Sequence, residues 1–217
     1  MIREFALIDV AFLLAAARWT LALAAIAFLG GGLLGLVVAL LRVAPVAPAR
    51  WLAVGYIHAV QGTPLLAWLF LSFFGLPIVA GISVSPWLAA AVAYSVYAGA
   101  FLGEIWRGCL EAVPRTQWEA GASLGLSFGQ QLRYVIGPQA VRVALPPTAG
   151  FLVQLIKNTS LAAVIGFVEL TREGQLTTAS TFRPFTVYLV VAAIYFAMCF
   201  PLTVWSRRLE GRLRVAR

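Results

Sequence analysis

The residues best suited to chemistry lie close together within one apolar stretch of the chain. Gln154, Lys157, Asn158, Thr159 and Ser160 are polar, yet they interrupt a run of apolar residues long enough to cross a membrane. A charged lysine at bilayer depth costs about 3 kcal/mol on insertion scales, so such groups usually face a cavity or a neighbouring helix. Two interpretations follow. Lys157 either caps carbonyl groups inside a helix bundle, or contacts a substrate carboxylate or the residues of a gate.

Enzymatic chemistry has no comparable support in the sequence. His58 is the only histidine, and no second ligand stands at a metal-binding spacing from it, so it is interpreted as a packed or water-facing side chain. Lys157 is the only lysine and lies between Ile156 and Asn158, which excludes the Gly-Lys-Ser/Thr motif of a phosphate-binding loop. We therefore expect no catalytic residue, metal or cofactor on this chain. If ATP drives the protein, a partner binds it.

The composition predicts an integral membrane protein rather than a soluble one. The 217 residues are 62% hydrophobic, and the mean hydropathy is +0.92. The net charge of +8 comes from arginines that flank apolar runs, a pattern typical of membrane topology rather than of nucleic-acid binding. Cys109 falls in a predicted loop and Cys199 in a predicted span, so a disulfide is not expected.

Five apolar stretches are long enough to span a bilayer, which needs about 20 residues. They are Trp19–Leu41, Leu52–Phe74, Pro86–Trp106, Thr148–Val168 and Phe185–Trp205. Gly62, Thr63 and Pro64 predict a kink inside the second. An interfacial helix, rather than a cleaved signal peptide, is predicted before the first. The predicted fold class is an all-α membrane protein that forms a single domain over residues 1–217.

The distribution of charge predicts the orientation of these spans. Arg42–Trp51, Arg107–Pro147 and the tail after Trp205 together carry 11 basic residues, whereas the segments on the opposite side carry 4. Basic residues concentrate in cytoplasmic loops. The N-terminus is therefore predicted outside and the C-terminus in the cytoplasm, with the long region 107–147 as a cytoplasmic loop.

This long loop has helix signals of its own. Gln117–Leu126 and Gly129–Ile136 are predicted as two short helices, and Ser127 is placed to cap the second. The second helix is predicted to stop at Gly137 and Pro138, because proline rarely continues a helix.

Small residues and one carboxylate mark the first of these short helices. Gly121 and Gly125 are predicted on one face, one turn apart, where a partner surface would meet bare backbone. Glu119 stands near the start of the same helix. It either stabilises the helix dipole or docks the partner.

The loop resembles the cytoplasmic coupling loop of permease subunits in ATP-binding cassette (ABC) importers. The family pattern is Glu-Ala-Ala, three residues, Gly, nine residues, Ile, one residue and Leu-Pro. The residues that match at the family spacing are Glu119, Ala120, Gly125 and Pro138. The departures from the pattern are Gly121, Val135 and Gly137. The resemblance implies that Glu119, Ala120, Gly121, Gly125 and Pro138 couple the chain to an ATPase.

Further motifs resemble the polar amino acid class of these permeases, over roughly residues 61–175. They are Gly62-Thr63-Pro64-Leu65-Leu66, Phe74-Gly75-Leu76-Pro77, Glu104-Ile105-Trp106-Arg107-Gly108, Ala112-Val113-Pro114, Lys157-Asn158-Thr159-Ser160-Leu161 and Val168-Glu169-Leu170-Thr171. Gln61 stands where the family usually has Arg, and Phe101 where it usually has Tyr, which bears on substrate preference. The candidate substrate-path residues are Gln61, Thr63, Phe101, Lys157, Asn158, Thr159 and Ser160.

The resemblance also implies the fold, the partners and the location. We expect a type I ABC importer permease fold in the bacterial inner (plasma) membrane. The expected partners are a second permease subunit, in a homodimer or heterodimer, two ATP-binding subunits that hold ATP and Mg²⁺, and a periplasmic or extracellular solute-binding protein. Because no carboxylate lies at mid-depth in the predicted spans, a neutral polar or acidic amino acid is favoured over a cationic one.

Two alternatives belong to other classes of protein. A self-sufficient secondary transporter or channel for a small polar solute would need no partner, but the coupling loop and the lack of an inverted repeat disfavour it. A purely structural membrane subunit is disfavoured by the polar cluster around Lys157.

Overall fold

The computed structural model describes residues 3–81 and 83–215, with side chains described up to residue 211 except that of residue 80. The described residues are almost entirely helical and contain no strand, which confirms the predicted all-α class. The elements in chain order are α1 (Leu7–Val43), α2 (Ala47–Gln61), α3 (Leu65–Phe70), a π-helical turn (Leu71–Gly75), α4 (Leu76–Ala80), α5 (Pro86–Glu111), α6 (Arg115–Ser123), α7 (Phe128–Gln131), a second π-helical turn (Leu132–Ile136), α8 (Gly137–Asn158), a 3₁₀ segment (Thr159–Ile165), α9 (Leu170–Thr181) and α10 (Pro184–Val215).

Helices α1 and α5 pack together at the centre of the bundle through small residues. A Cβ atom added at Gly31 would lie 2.4 Å from the Cβ of Ala98, and one added at Gly35 would lie 3.0 Å from the backbone nitrogen of Gly103. The two backbones can approach this closely only because neither glycine carries a side chain. Gly31 and Gly35 therefore allow the close packing of α1 against α5.

The first span is part of one continuous helix. Helix α1 has 37 residues, about 55 Å at 1.5 Å per residue, whereas a hydrocarbon core is about 30 Å thick. No break separates the N-terminal segment from the span, so the expectation of a distinct interfacial helix is wrong. The buried Asp9 accepts a 2.8 Å hydrogen bond from the backbone N–H of Ala6 and pairs with Arg3, which anchors the start of α1.

The second predicted span is broken at the position of the predicted kink. Helix α2 and the helical stretch Leu65–Val79 meet at 98°. Pro64 has no backbone N–H to continue the ladder, and the Thr63 hydroxyl donates a 2.8 Å hydrogen bond to the carbonyl of Ala59 at the end of α2. The bend is confirmed, but it makes two helices rather than one kinked span. Among the described residues, four helical segments are long and apolar enough to cross a membrane, and this broken pair is a fifth if it forms one span.

The predicted helix stop at Gly137 and Pro138 is wrong. Helical structure runs from Phe128 through a π-helical turn into α8, so it passes through Gly137 and Pro138 instead of stopping there. The π-helical turn moves the hydrogen bond of Gly137 to the carbonyl of Leu132, which makes room for the proline. At the other end, α8 gives way to the 3₁₀ segment after Asn158.

Helix α5 also extends further than predicted, to Glu111. Cys109 therefore lies on a helix and not in the predicted loop. Both Cys109 and Cys199 are buried free thiols.

Candidate coupling loop and transport path

The loop between α5 and α8 folds as a short helical hairpin made of α6 and α7. Helix α6 ends in a Schellman motif, in which the Gly125 N–H donates to the Ala122 carbonyl at 2.9 Å and the Leu126 N–H to the Gly121 carbonyl at 3.1 Å. Gly125 has a φ of +73°, a left-handed conformation that glycine adopts without a Cβ penalty. The sequence pattern thus places a glycine where the backbone reverses direction.

The second arm of the hairpin starts with a capping box. The Gln130 N–H donates to the Ser127 hydroxyl oxygen at 3.4 Å, and the Ser127 N–H donates to the Gln130 side-chain oxygen at 2.8 Å. The predicted cap at Ser127 is confirmed. The rings of Trp118 and Phe128 stack across the hairpin at 5.8 Å, so the two arms are held against each other.

Gly121 faces the inside of the hairpin. It is buried, and a Cβ at this position would lie 3.0 Å from Cγ of Gln131, whose side-chain amide donates to the Leu126 carbonyl at 2.9 Å. Gly125 lies beyond the end of α6. The expectation that Gly121 and Gly125 form one open helix face is therefore wrong, because the first lines the interior and the second makes the turn.

The outward surface of the hairpin is made by other residues. Glu119 and Ala120 are exposed, as is Gly125 at the turn. Next to them Leu124, the C-terminal cap of α6, is 79% exposed. Sequence reasoning missed Leu124. The signal was a large apolar residue between Ser123 and Gly125 in an otherwise polar and small-residue segment.

The hairpin is connected to α8 by packing and hydrogen bonds. Leu110, Ile136 and Ala140 form a buried cluster on which Trp118 packs. The Gln139 side-chain amide donates to the Gln117 side-chain oxygen at 3.2 Å. Pro138 is exposed in the first turn of α8. Movement of the hairpin would therefore be transmitted directly to α8.

Three candidate path residues are connected through one face of α5. The Gln61 side-chain amide donates to the Ala100 carbonyl at 3.5 Å. The centroids of the Phe101 and Tyr97 rings on α5 lie 4.5 Å apart, and the Tyr94 hydroxyl of the same helix donates to the Asn158 backbone carbonyl at 2.5 Å. Gln61 and Asn158 thus both hydrogen-bond to α5, the helix that carries Phe101.

The other candidates are placed elsewhere. Lys157 and Ser160 line an open groove of about 540 Å³ against α10, and the Lys157 ammonium has no carboxylate within ion-pair distance among the described residues. Thr159 is fully buried and donates to the Ile156 carbonyl at 2.7 Å, so it does not face a path. The Thr63 hydroxyl hydrogen-bonds the Ala59 carbonyl at the end of α2, beside the break in the second span. Lys157 is therefore exposed in a groove rather than buried among helix carbonyls.

The buried carboxylate of Glu169, to which the sequence motif assigned no role, joins three helices. Glu169 is fully buried and accepts hydrogen bonds from the Thr20 hydroxyl of α1 at 3.2 Å, the Tyr195 hydroxyl of α10 at 2.9 Å and the Arg172 N–H of α9 at 3.0 Å. Burial raises the pKa of the Glu169 carboxyl, although these donors favour its ionised form. Glu169, at the start of α9, therefore links α9 to both α1 and α10 by hydrogen bonds.

Charged residues form a network at the C-terminal ends of α1 and α5. Glu104 pairs with Arg107, and Arg107 also pairs with Glu111. Arg42 of α1 lies 3.7 Å from the Glu104 carboxylate. The network ties the end of α1 to α5 near the start of the hairpin.

The helical architecture and the hairpin define a membrane component of a transport system. The model of the family described as "binding-protein-dependent transport system inner membrane component" matches residues 31–215, and the chain belongs to this family. Its curated relatives are amino-acid ABC transporter permeases. It is 38% identical to the probable amino-acid ABC transporter permease protein YckA of Bacillus subtilis (strain 168), over 89% of this chain and 85% of that protein.

Other comparisons agree. The chain is 35% identical to the glutamine transport system permease protein GlnP of Escherichia coli (strain K12), over 94% of this chain and 93% of that one. Its fold matches a solved amino acid ABC transporter, crystallised with histidines, with a TM-score of 0.86 at 33% identity over 93% of this chain and 94% of that chain. The MetNI methionine ABC transporter shares the fold with a TM-score of 0.74 at 21% identity, covering 91% and 96% of the two chains.

Proposed function

We propose that this chain forms the translocation path of an ATP-driven, binding-protein-dependent amino acid importer and couples it to a separate ATPase subunit. The observation that carries the proposal is the exposed surface of Glu119, Ala120 and Leu124 on a hairpin whose Trp118 packs on the buried cluster with Ile136 and Ala140. A partner chain bound at this surface would cover the exposed Leu124 side chain and remove its apolar area from water. A partner bound there would move α8 and the residues at its far end.

The mechanism follows from this connection. ATP and Mg²⁺ are held by the ATPase, and its closure moves the hairpin. Because α7, the π-helical turn and α8 are continuous from Phe128 to Asn158, the displacement reaches the polar end of α8, where the Asn158 carbonyl accepts a hydrogen bond from Tyr94. Two permease subunits, equal or related, rock around a central path that opens to alternate sides.

The substrate is proposed to be a neutral polar or acidic amino acid. Gln61, Phe101 and Asn158 offer amide and aromatic groups without a free carboxylate, and Lys157 supplies a cation without a partner in the described chain. The buried Glu169 is already engaged by three donors. The name of the Escherichia coli relative, a glutamine permease, is in keeping with this proposal.

The orientation and the remaining partners complete the proposal. The N-terminus lies outside and the C-terminus in the cytoplasm of a bacterial inner membrane, so that the hairpin meets the ATPase. A solute-binding protein delivers the amino acid from the outside. This assignment rests on the charge distribution of the loops.

Reconstitution of the transporter tests the function. The permease would be incorporated into liposomes with a partner ATPase and a solute-binding protein, and uptake of labelled glutamine, glutamate and arginine would be measured. We expect uptake of glutamine or glutamate that requires ATP and the binding protein. Uptake driven by an ion gradient without the ATPase would contradict the coupling proposal. Strong arginine uptake that excess glutamine and glutamate leave unchanged would contradict the substrate class only.

A further inference from the structure

A groove of about 770 Å³ opens between α1, α5 and α8, away from the residues proposed for the path. Its walls include Leu33 and Leu36 of α1, Trp106 of α5, and Val141 and Leu145 of α8. The Trp106 N–H on this wall already donates to the Thr148 hydroxyl at 2.9 Å. Water and polar solutes would therefore find few hydrogen-bonding partners, and the groove favours an apolar occupant.

The length of the groove matches one leaflet of a bilayer. Its lining residues on α1 run from Phe28 to Leu40, about 18 Å at 1.5 Å per residue, and those on α8 run from Gly137 to Thr148, about 16 Å. Half of a hydrocarbon core is about 15 Å. The groove therefore accommodates an acyl chain that enters from one surface, whereas a membrane-spanning helix would extend well beyond it.

The end of the groove near Leu40 and Leu132 is basic. Arg42 follows Leu40 by two residues, and Arg133 follows Leu132 directly. The exposed Arg133 lies 5.5 Å from the ring centroid of Tyr134, and it has no carboxylate within ion-pair distance in the part of the chain that the structure describes. A cation at this position complements an anionic lipid headgroup.

We propose that this α1–α8 groove binds an acyl chain of an anionic bilayer phospholipid, with its phosphate headgroup at Arg133. The bound chain fills the space between α1 and α8, the helix that continues into the hairpin. The proposal needs only that the chain lies in a membrane, and it is independent of which solute is transported.

Native mass spectrometry of the purified complex would test the site. Detergent-solubilised transporter would be stripped of lipid and titrated with phosphatidylglycerol or with phosphatidylcholine of the same acyl chains. In the Gly32→Leu variant the new side chain enters the groove, because a Cβ there lies 3.7 Å from Trp106 and meets nothing closer. Gly55→Leu is the matched control on α2, where a Cβ meets nothing within 4 Å. We expect Gly32→Leu to lose one tightly bound phosphatidylglycerol per permease, and Gly55→Leu to keep it.

The headgroup contact is tested separately. Arg133→Gln should reduce the preference for phosphatidylglycerol over phosphatidylcholine about fivefold, the effect of one basic residue near an anionic headgroup. Arg183→Gln should leave it unchanged, because Arg183 lies between α9 and α10 and neither lines the groove nor follows a residue that does. Equal losses in both variants would overturn the assignment to Arg133.

Wild-type protein provides a measurement that does not depend on a variant folding. Phosphatidylglycerol with a photoreactive acyl chain should label Leu33, Val141 or Leu145 in the native membrane. Absence of label at all three residues would overturn the proposal. So would a cross-link from Leu33→Cys to another protein chain, which would show that a partner helix occupies the groove.

Discussion

Gly125→Asp tests whether the hairpin contacts a partner. In this chain a Cβ at Gly125 meets nothing within 4 Å, and the backbone has a φ of +73°. Aspartate tolerates left-handed backbone better than most residues, so the turn should lose about 1 kcal/mol at most, a factor of about five in its population. Insertion and assembly should be unaffected. A loss of coupling greater than tenfold, about 1.4 kcal/mol, would exceed the strain of the turn and would report a partner on this surface.

The assay compares uptake and ATP hydrolysis in reconstituted transporter. Gly125→Asp is expected to lower amino acid uptake at least tenfold while ATP hydrolysis remains above half of the wild-type rate. Gly129→Asp is the matched control, because it adds the same charge to the other arm of the hairpin at an open position. It should stay within twofold of wild type. If Gly125→Asp transports at the wild-type rate, the assignment of the hairpin as the coupling element is refuted.

Three further predictions concern topology, packing and pH. Ser83 and Ser123 are both exposed, and each would be changed to cysteine after the native thiols at Cys109 and Cys199 are replaced. An impermeant thiol reagent applied outside should label Ser83→Cys and not Ser123→Cys. The reverse pattern would show that the chain has the opposite orientation in the membrane. Gly31→Ala should destabilise the solubilised complex by about 1–3 kcal/mol in thermal unfolding because its Cβ would clash with α5, whereas Gly55→Ala should not, and equal effects would contradict the packing. The Glu169 carboxyl has a raised pKa, so the folded protein keeps a proton that the unfolded chain releases near pH 4.5, and stability should fall as pH rises from there through the raised pKa. Glu169→Gln should flatten this dependence, and an unchanged slope would assign it to another group.

Much of the fold was predictable because apolar length and loop charge are local properties. The helical class and the bend at Pro64 follow from residue type alone, and so does the cap at Ser127. Helix ends were less predictable. The passage through Gly137 and Pro138 depends on a π-helical turn that packs Ile136 into a buried cluster, and no residue pattern indicated it.

The candidate site was likewise predicted in part by the sequence and in part only by the structure. The spacing from Glu119 to Pro138 located the hairpin, but not which side chains it exposes. Gly121 and Gly125 were expected to be equivalent, and the Schellman turn gave them opposite roles, since helix termination depends on backbone conformation as well as on sequence spacing. Leu124 became visible only when its exposure was known.

The sequence by itself determined the class of this protein. Its apolar content requires a membrane, its single lysine excludes an ATP-binding loop, and its loop motif places it among importer permeases, because each of these properties is carried by residue identity and spacing. Only the tertiary structure decided which polar residues meet. Gln61 of α2 donates to the Ala100 carbonyl of α5, Tyr94 of α5 donates to the Asn158 carbonyl at the end of α8, and Thr20, a partner of Glu169, lies 149 residues away from it in sequence. Contacts at such separations are set by the crossing and close packing of helices, which depend on the whole bundle at once and leave no local pattern to be read.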